Sequence, residues 1–224
     1  MSSPSQEAIW PPQWQDLVPA VAQDWITGRV LMVAFMNREA LEATMTRRRA
    51  VFYSRSRRCL WEKGETSGHT LFVQQVYLDC DQDAVLLRVA PRGPTCHTGA
   101  RSCFFVPVGQ QAAPPAEVEA TVLDALGHVL ASRREAAAES SYVSRLFAGG
   151  PSFMGRKLME EACEVLLAGL GEEDARLVAE SADLWFHNLV LLQSRGIGPE
   201  AVLMELARRF GISGLEERAQ RAGG

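Results

Sequence analysis

The sequence predicts two domains, a β-rich α+β half followed by an all-helical half. The hydrophobic pattern changes partway along, from short apolar runs of strand length to 3.6-residue periodicity. The change falls at GQQAAPPAEVEA, residues 109–120, a small, polar, proline-bearing stretch with the composition of a linker. Charge divides at the same place. Residues 1–108 hold 12 Lys/Arg and 10 Asp/Glu, for a charge of +2, and residues 109–224 hold 11 and 17, for −6. The domains are therefore drawn at 1–108 and 121–224.

The first half reads as strands around one helix. LMVAFM (31–36) and AVFYSRS (50–56) suit strands, and REALEATMTRRR (38–49) between them suits a helix. LFVQQVYLDC (71–80) and AVLLRVA (84–90) read as a strand pair joined at DQD. The second half reads as helices at VEATVLDALGHVLASRREAA, GRKLMEEACEVLLAGL, EEDARLVAESADLWFHNLVLLQSRG and PEAVLMELARRF. Gly169, Gly171, Gly196 and Gly198 punctuate their ends.

Bulk properties narrow the function classes. The chain has 224 residues, 47% hydrophobic and 22% charged, as expected of a globular protein. Its longest apolar runs, such as Leu31–Met36 and Leu189–Leu192, are too short to span a bilayer, so no membrane role is expected. MSSPSQEAIWPP lacks a basic region followed by an apolar core, so a cytoplasmic location is expected. There is no strongly basic patch, which argues against a nucleic-acid partner. Five cysteines in a reducing compartment point to metal binding or catalysis wherever they cluster.

DCDQD, residues 79–83, would in an extended segment place Asp79, Asp81 and Asp83 on one face and Cys80 on the other. Three like charges on one face suit a hard cation such as Mg²⁺, and equally a solvated acidic turn. An EF-hand loop fails, because its sixth position would be Ala84 and its twelfth Ala90. Cys80, Cys96 and Cys103 are three thiols within 24 residues. Three protein ligands with one open position is the catalytic zinc pattern. Zinc lowers the pKa of bound water toward ~7. His97 would be either a fourth ligand or a proton carrier, and unligated buried thiols are the alternative to both. The zinc-deaminase signature is absent. YSRSRRCLWEKGETSG, residues 53–68, sets Arg55, Arg57 and Lys63 beside Trp61 and two glycines. That combination suits phosphate and a stacked base, or else a charged strand and turn around a core tryptophan.

LMVAFMNREAL, FYSRSRRCLWEKGETSG, DCDQD and GPTCHTGARSCF, in that order, closely resemble the phosphoribosyl-AMP cyclohydrolase family of histidine biosynthesis, over roughly residues 15 to 107. The resemblance implies zinc on Cys80, Cys96 and Cys103, with Cys80 from one chain and the other two from its partner in a dimer. It implies Mg²⁺ on Asp79, Asp81 and Asp83. The implied reaction opens the adenine ring between N1 and C6, with His97 as proton shuttle and the basic strand holding phosphate.

In the second half, RKLMEEACE puts Glu160 and Glu164 at i, i+4 and Glu161 and Glu164 at i, i+3. ESAD adds Glu180 and Asp183 at i, i+3. Two antiparallel helices joined near Gly169–Gly171 would bring both sets together around Mg²⁺, although E-E-x-x-E also suits a solvated helix face. SYVSRLFAGG, RKLMEEACE and ESADLWFHNLVLL resemble phosphoribosyl-ATP pyrophosphohydrolase, a relative of the helical MazG-type nucleotide pyrophosphohydrolases, over about residues 122 to 210. That resemblance implies Mg²⁺ on Glu160 or Glu161, Glu164, Glu180 and Asp183, with Lys157 and Arg145 as phosphate contacts. Together the halves imply a bifunctional enzyme acting on phosphoribosyl-ATP and then phosphoribosyl-AMP, most simply as a homodimer. A non-catalytic zinc module on a helical dimerisation domain and a general nucleotide-sanitising pyrophosphatase are the rival readings.

Overall fold

The computed structural model describes Trp14, residues 16–109, 121–137, 141–171 and 173–210. Apart from Gly109, the expected linker lies outside the described residues. The chain divides into two compact units, Met1–Ala120 and Thr121–Gly224.

The first unit contains β1 (Val18–Asp24), β2 (Val30–Met36), α1 (Arg38–Arg47), β3 (Val51–Ser54), β4 (Cys59–Glu62), β5 (Leu71–Leu78) and β6 (Val85–Pro91). Four strands form a sheet in the order β2-β1-β6-β5, and β3 and β4 form a separate hairpin. β1 runs antiparallel to β2 and parallel to β6, and β5 runs antiparallel to β6. Alternate residues point inward, as the pleat requires: Val18, Ala20 and Ala22 of β1, and Val85, Leu87 and Val89 of β6. They join Leu31, Met36, Phe52 and Leu71 in one core. α1 buries Ala40, Leu41 and Thr44. Asn37 caps it by accepting from Ala40 N–H at 2.9 Å. Arg48, left-handed at φ 56°, ends it two residues before the expected boundary. The buried Thr44 hydroxyl bonds both the N–H and the C=O of Val51, tying α1 to the hairpin. β1 was not among the expected strands, and β3 is shorter than its expected run.

The second unit is helical: α2 (Val122–Arg133), α3 (Tyr142–Ala148), α4 (Gly150–Gly169), α5 (Asp174–Ser194) and α6 (Pro199–Arg209). Thr121 and Ser141 cap α2 and α3, accepting from the N–H groups of Asp124 and Ser144. Leu130, Leu146, Met154, Leu189 and Val190 form the buried core. α4 and α5 are the principal packed pair. Among the described residues no helix is long and apolar enough to cross a membrane.

Two candidate active sites

The loop after β6 is built around its cysteines. Cys96 N–H donates to Ala100 C=O at 3.0 Å, and Gly99 N–H to Cys96 C=O at 3.1 Å, closing a tight turn over His97 and Thr98. The loop is then stitched to β2. Cys103 N–H donates to Leu31 C=O at 2.8 Å, and the Ser102 hydroxyl to Val30 C=O at 2.7 Å. This fastening brings the thiols of Cys96 and Cys103 within reach of each other. The Thr98 hydroxyl donates to Cys96 Sγ at 3.2 Å and pulls that thiol below its ordinary pKa. Cys103 is pushed up to about 11, first by its withdrawal from water and then by the neighbouring Cys96. Two thiols so placed resist ionising together unless a cation joins them.

These thiols open onto a cavity of about 510 Å³, also lined by Arg57, Trp61, Lys63 and His97. Trp61 packs on the core Phe52, at 5.2 Å between centroids, and also lines the cavity. Arg55 instead stacks over Phe35, its guanidinium carbon 4.0 Å from the ring centre, and is not among the lining residues. His69 is a lining residue that the sequence did not single out. Two left-handed glycines shape its seat. A Cβ on Gly64 would lie 2.5 Å from the His69 backbone, and one on Gly93 would lie 2.7 Å from its ring. A histidine in a glycine-spaced loop gives no periodic signal, so only the tertiary packing reveals it.

Asp79, Asp81 and Asp83 are exposed, and their carboxylate oxygens lie within 4.8 Å of one another. They meet differently from the extended geometry expected. Residues 79–83 form a turn beyond β5, with Gln82 left-handed at φ 63°. Asp79 accepts from the N–H groups of Asp83 and Ala84, both at 3.0 Å, and the Ala84 N–H leads in lowering its pKa. The charge of Asp81 raises that of Asp83. Trp14 donates from its indole N–H to Gln82 C=O at 2.7 Å. Cys80, in the same turn, is exposed and does not join Cys96 and Cys103 in a three-residue cluster within one chain.

In the helical unit α4 and α5 gather Glu161, Glu164 and Glu180 within 4.8 Å. Glu161 and Glu180 are buried and Glu164 is exposed. Proximity to Glu180 raises the pKa of Glu164. Of the adjacent pair, Glu160 turns outward to Lys157, whose ammonium holds it below the ordinary carboxylate range. Lys157 Nζ also lies 3.6 Å from Glu161, and Arg176 Nε lies 2.7 Å from Glu180. Asp183 is exposed on α5 and lies outside the gathered three. Arg145, on α3, sits over the Tyr142 ring at 5.9 Å.

The phosphoribosyl-AMP cyclohydrolase family pattern matches residues 32–105, and that of phosphoribosyl-ATP pyrophosphohydrolase matches residues 123–210. The chain belongs to the HisIE family of histidine biosynthesis bifunctional proteins. The HisIE protein of Wolinella succinogenes is 42% identical over 212 residues, covering 92% of this chain and 93% of its own. That of Deinococcus radiodurans is 45% identical over 200 residues, covering 89% and 91%. That of Thermus thermophilus is 46% identical over 196 residues, covering 86% and 88%. As a HisIE member the chain is a bifunctional hydrolase, with the cysteine cavity inside its cyclohydrolase match and the three carboxylates inside its pyrophosphohydrolase match.

Proposed function

We propose that residues 121–224 hydrolyse phosphoribosyl-ATP to phosphoribosyl-AMP and pyrophosphate, and that residues 1–108 then open the adenine ring of phosphoribosyl-AMP between N1 and C6 in a zinc-dependent reaction. The observation that supports this division best is that each family match encloses its own metal-type donors, the Cys96–Cys103 pair and the three aspartates in the first and the three glutamates in the second.

Cys96 and Cys103 suit zinc. They are adjacent thiols whose mutual repulsion a soft-ligand cation relieves. Cys80 would be the third ligand, contributed by a second copy of the chain, which makes the working cyclohydrolase a homodimer. Zinc held there supplies a Lewis acid that makes water nucleophilic near neutral pH. His97, exposed at the cavity with Nδ1 3.8 Å from Cys96 Sγ, would take the proton from water and return it to the ring nitrogen that leaves C6. Arg57 and Lys63 would bind substrate phosphate, and Trp61 would present its ring to the base. Asp79, Asp81 and Asp83 would hold Mg²⁺, whose charge offsets their repulsion.

In the helical unit Glu161, Glu164 and Glu180 would hold Mg²⁺, which neutralises polyphosphate charge during hydrolysis. Lys157 and Arg145 would contact the phosphates from α4 and α3. Asp183, one turn beyond Glu180 on α5, would add a further carboxylate. Free thiols at these positions suit the cytoplasm.

The test separates the two products. Purified protein is incubated with phosphoribosyl-ATP and Mg²⁺, with and without a strong zinc chelator. Pyrophosphate in both samples, with ring opening only where chelator is absent, is the expected result. Neither product from a folded protein would instead favour the non-catalytic zinc module.

A further inference from the structure

His187 lies on α5 seven residues after Glu180, two helical turns along the same face. It is 4% exposed. Its Nε2 is 3.3 Å from the Tyr142 hydroxyl and 3.5 Å from Glu161 Oε1. The ring stands edge-on to Tyr142 and Phe186, at 89° and 85°. Packing on two sides therefore fixes the imidazole plane, with Nε2 in reach of both the Tyr142 hydroxyl and Glu161.

Toward an ionised carboxylate, which only accepts hydrogen bonds, Nε2 can act only in its N–H form, the tautomer in which the Tyr142 hydroxyl accepts rather than donates. Glu161 is itself buried, and a donor fixed in place counts for more there than in water. The same Oε1 is 3.6 Å from Lys157 Nζ, the far end of a flexible side chain that also binds the exposed Glu160. The two partners differ in kind. Lys157 can follow either glutamate, whereas His187 can face only Glu161.

We infer that His187 is a positioning residue of the pyrophosphohydrolase site. Its Nε2–H, held by Tyr142 and Phe186, keeps the Glu161 carboxylate turned toward Glu164 and Glu180. It thereby decides which of the adjacent Glu160 and Glu161 serves the cation. This rests on reading those three carboxylates as a cation site.

The experiment compares His187→Gln with His187→Asn in the full chain. Both introduce the same buried amide, but Gln reaches the position of Nε2 and Asn only that of Nδ1. Mn²⁺ binding is followed by electron paramagnetic resonance, and the binding lost in Glu164→Gln defines the helical site. Melting temperature and ring opening are measured on the same samples. The expected result is that His187→Asn raises the Mn²⁺ concentration for half-saturation about tenfold, while His187→Gln stays close to the parent chain. Ring opening is unchanged in both. Equal Mn²⁺ affinity for the two variants, whether weakened together or unchanged, overturns the positioning role and leaves His187 as packing. If Glu164→Gln removes no Mn²⁺ from the parent chain, the cation reading fails first, and the His187 role falls with it.

Discussion

The two units assemble their donors differently. In the helical unit, one chain brings Glu161, Glu164 and Glu180 within 4.8 Å. In the β-rich unit, one chain pairs Cys96 with Cys103 and leaves Cys80 apart in the turn after β5. The contrast follows from the supporting elements. A helix repeats every 3.6 residues, so Glu161 and Glu164 share a face by spacing alone, and the short α4–α5 connection folds Glu180 onto it. The thiols sit on turns, whose direction depends on hydrogen bonds rather than on a period. The β-rich unit centres its core on Phe52, Leu87 and Met36 and leaves Val33, Tyr77, Phe104 and Val106 exposed, while α4 and α5 leave Leu166, Leu167, Val178 and Trp185 exposed. Where a site or an apolar face is incomplete within one chain, a second copy is the simplest completion.

Paired substitutions test the comparison most severely. Cys103→Ser should abolish ring opening and leave pyrophosphate release intact, and Glu164→Gln should do the reverse. Loss of both activities in either folded variant would break the division between units. Next is Phe52→Ala, which empties the centre of the first core and should cost about 3–5 kcal/mol by denaturant unfolding of the β-rich unit. A loss near zero would mean that this core is not the one holding the unit together. Within the helical unit, Glu161→Gln should slow pyrophosphate release about 100-fold, and Glu160→Gln only a few-fold. Equal effects would show that both glutamates serve the cation.

A mixing experiment addresses the shared thiols. Cys80→Ser and Cys103→Ser chains are each inactive in ring opening. Unfolded and refolded together, they should recover about one quarter of the parent activity, because random pairing in a two-fold dimer leaves one intact site in each mixed pair. No recovery would place all three thiols within one chain. The smallest effect expected is at the α1 cap, where Asn37→Ala removes the acceptor for Ala40 N–H and should cost about 1 kcal/mol in thermal unfolding, with both activities retained.

Much of the molecule was legible before folding. The change of period from strand-like runs to 3.6 residues marked the two textures, and the spacing in RKLMEEACE and ESAD indicated which helices would carry carboxylates. β1 escaped because VPAVAQD is short and rich in small residues, and its strand state depends on pairing with both β2 and β6. α3 escaped because its seven residues are too few to show a period. The aspartates of DCDQD converge through a turn closed by Asp79 and Gln82, not through strand alternation.

Local chemistry in the sequence determined the donor types, the helix faces and the caps, because these depend on residue identity and short-range spacing. Tertiary structure alone decided that Glu161 turns inward while Glu160 pairs with Lys157, that Arg55 stacks on Phe35, and that His69 and His187 face the two sites. Those outcomes depend on contacts between residues far apart in the chain. No window of the sequence contains both partners, and burial, which strengthens some polar contacts and forbids others, exists only once the elements have packed.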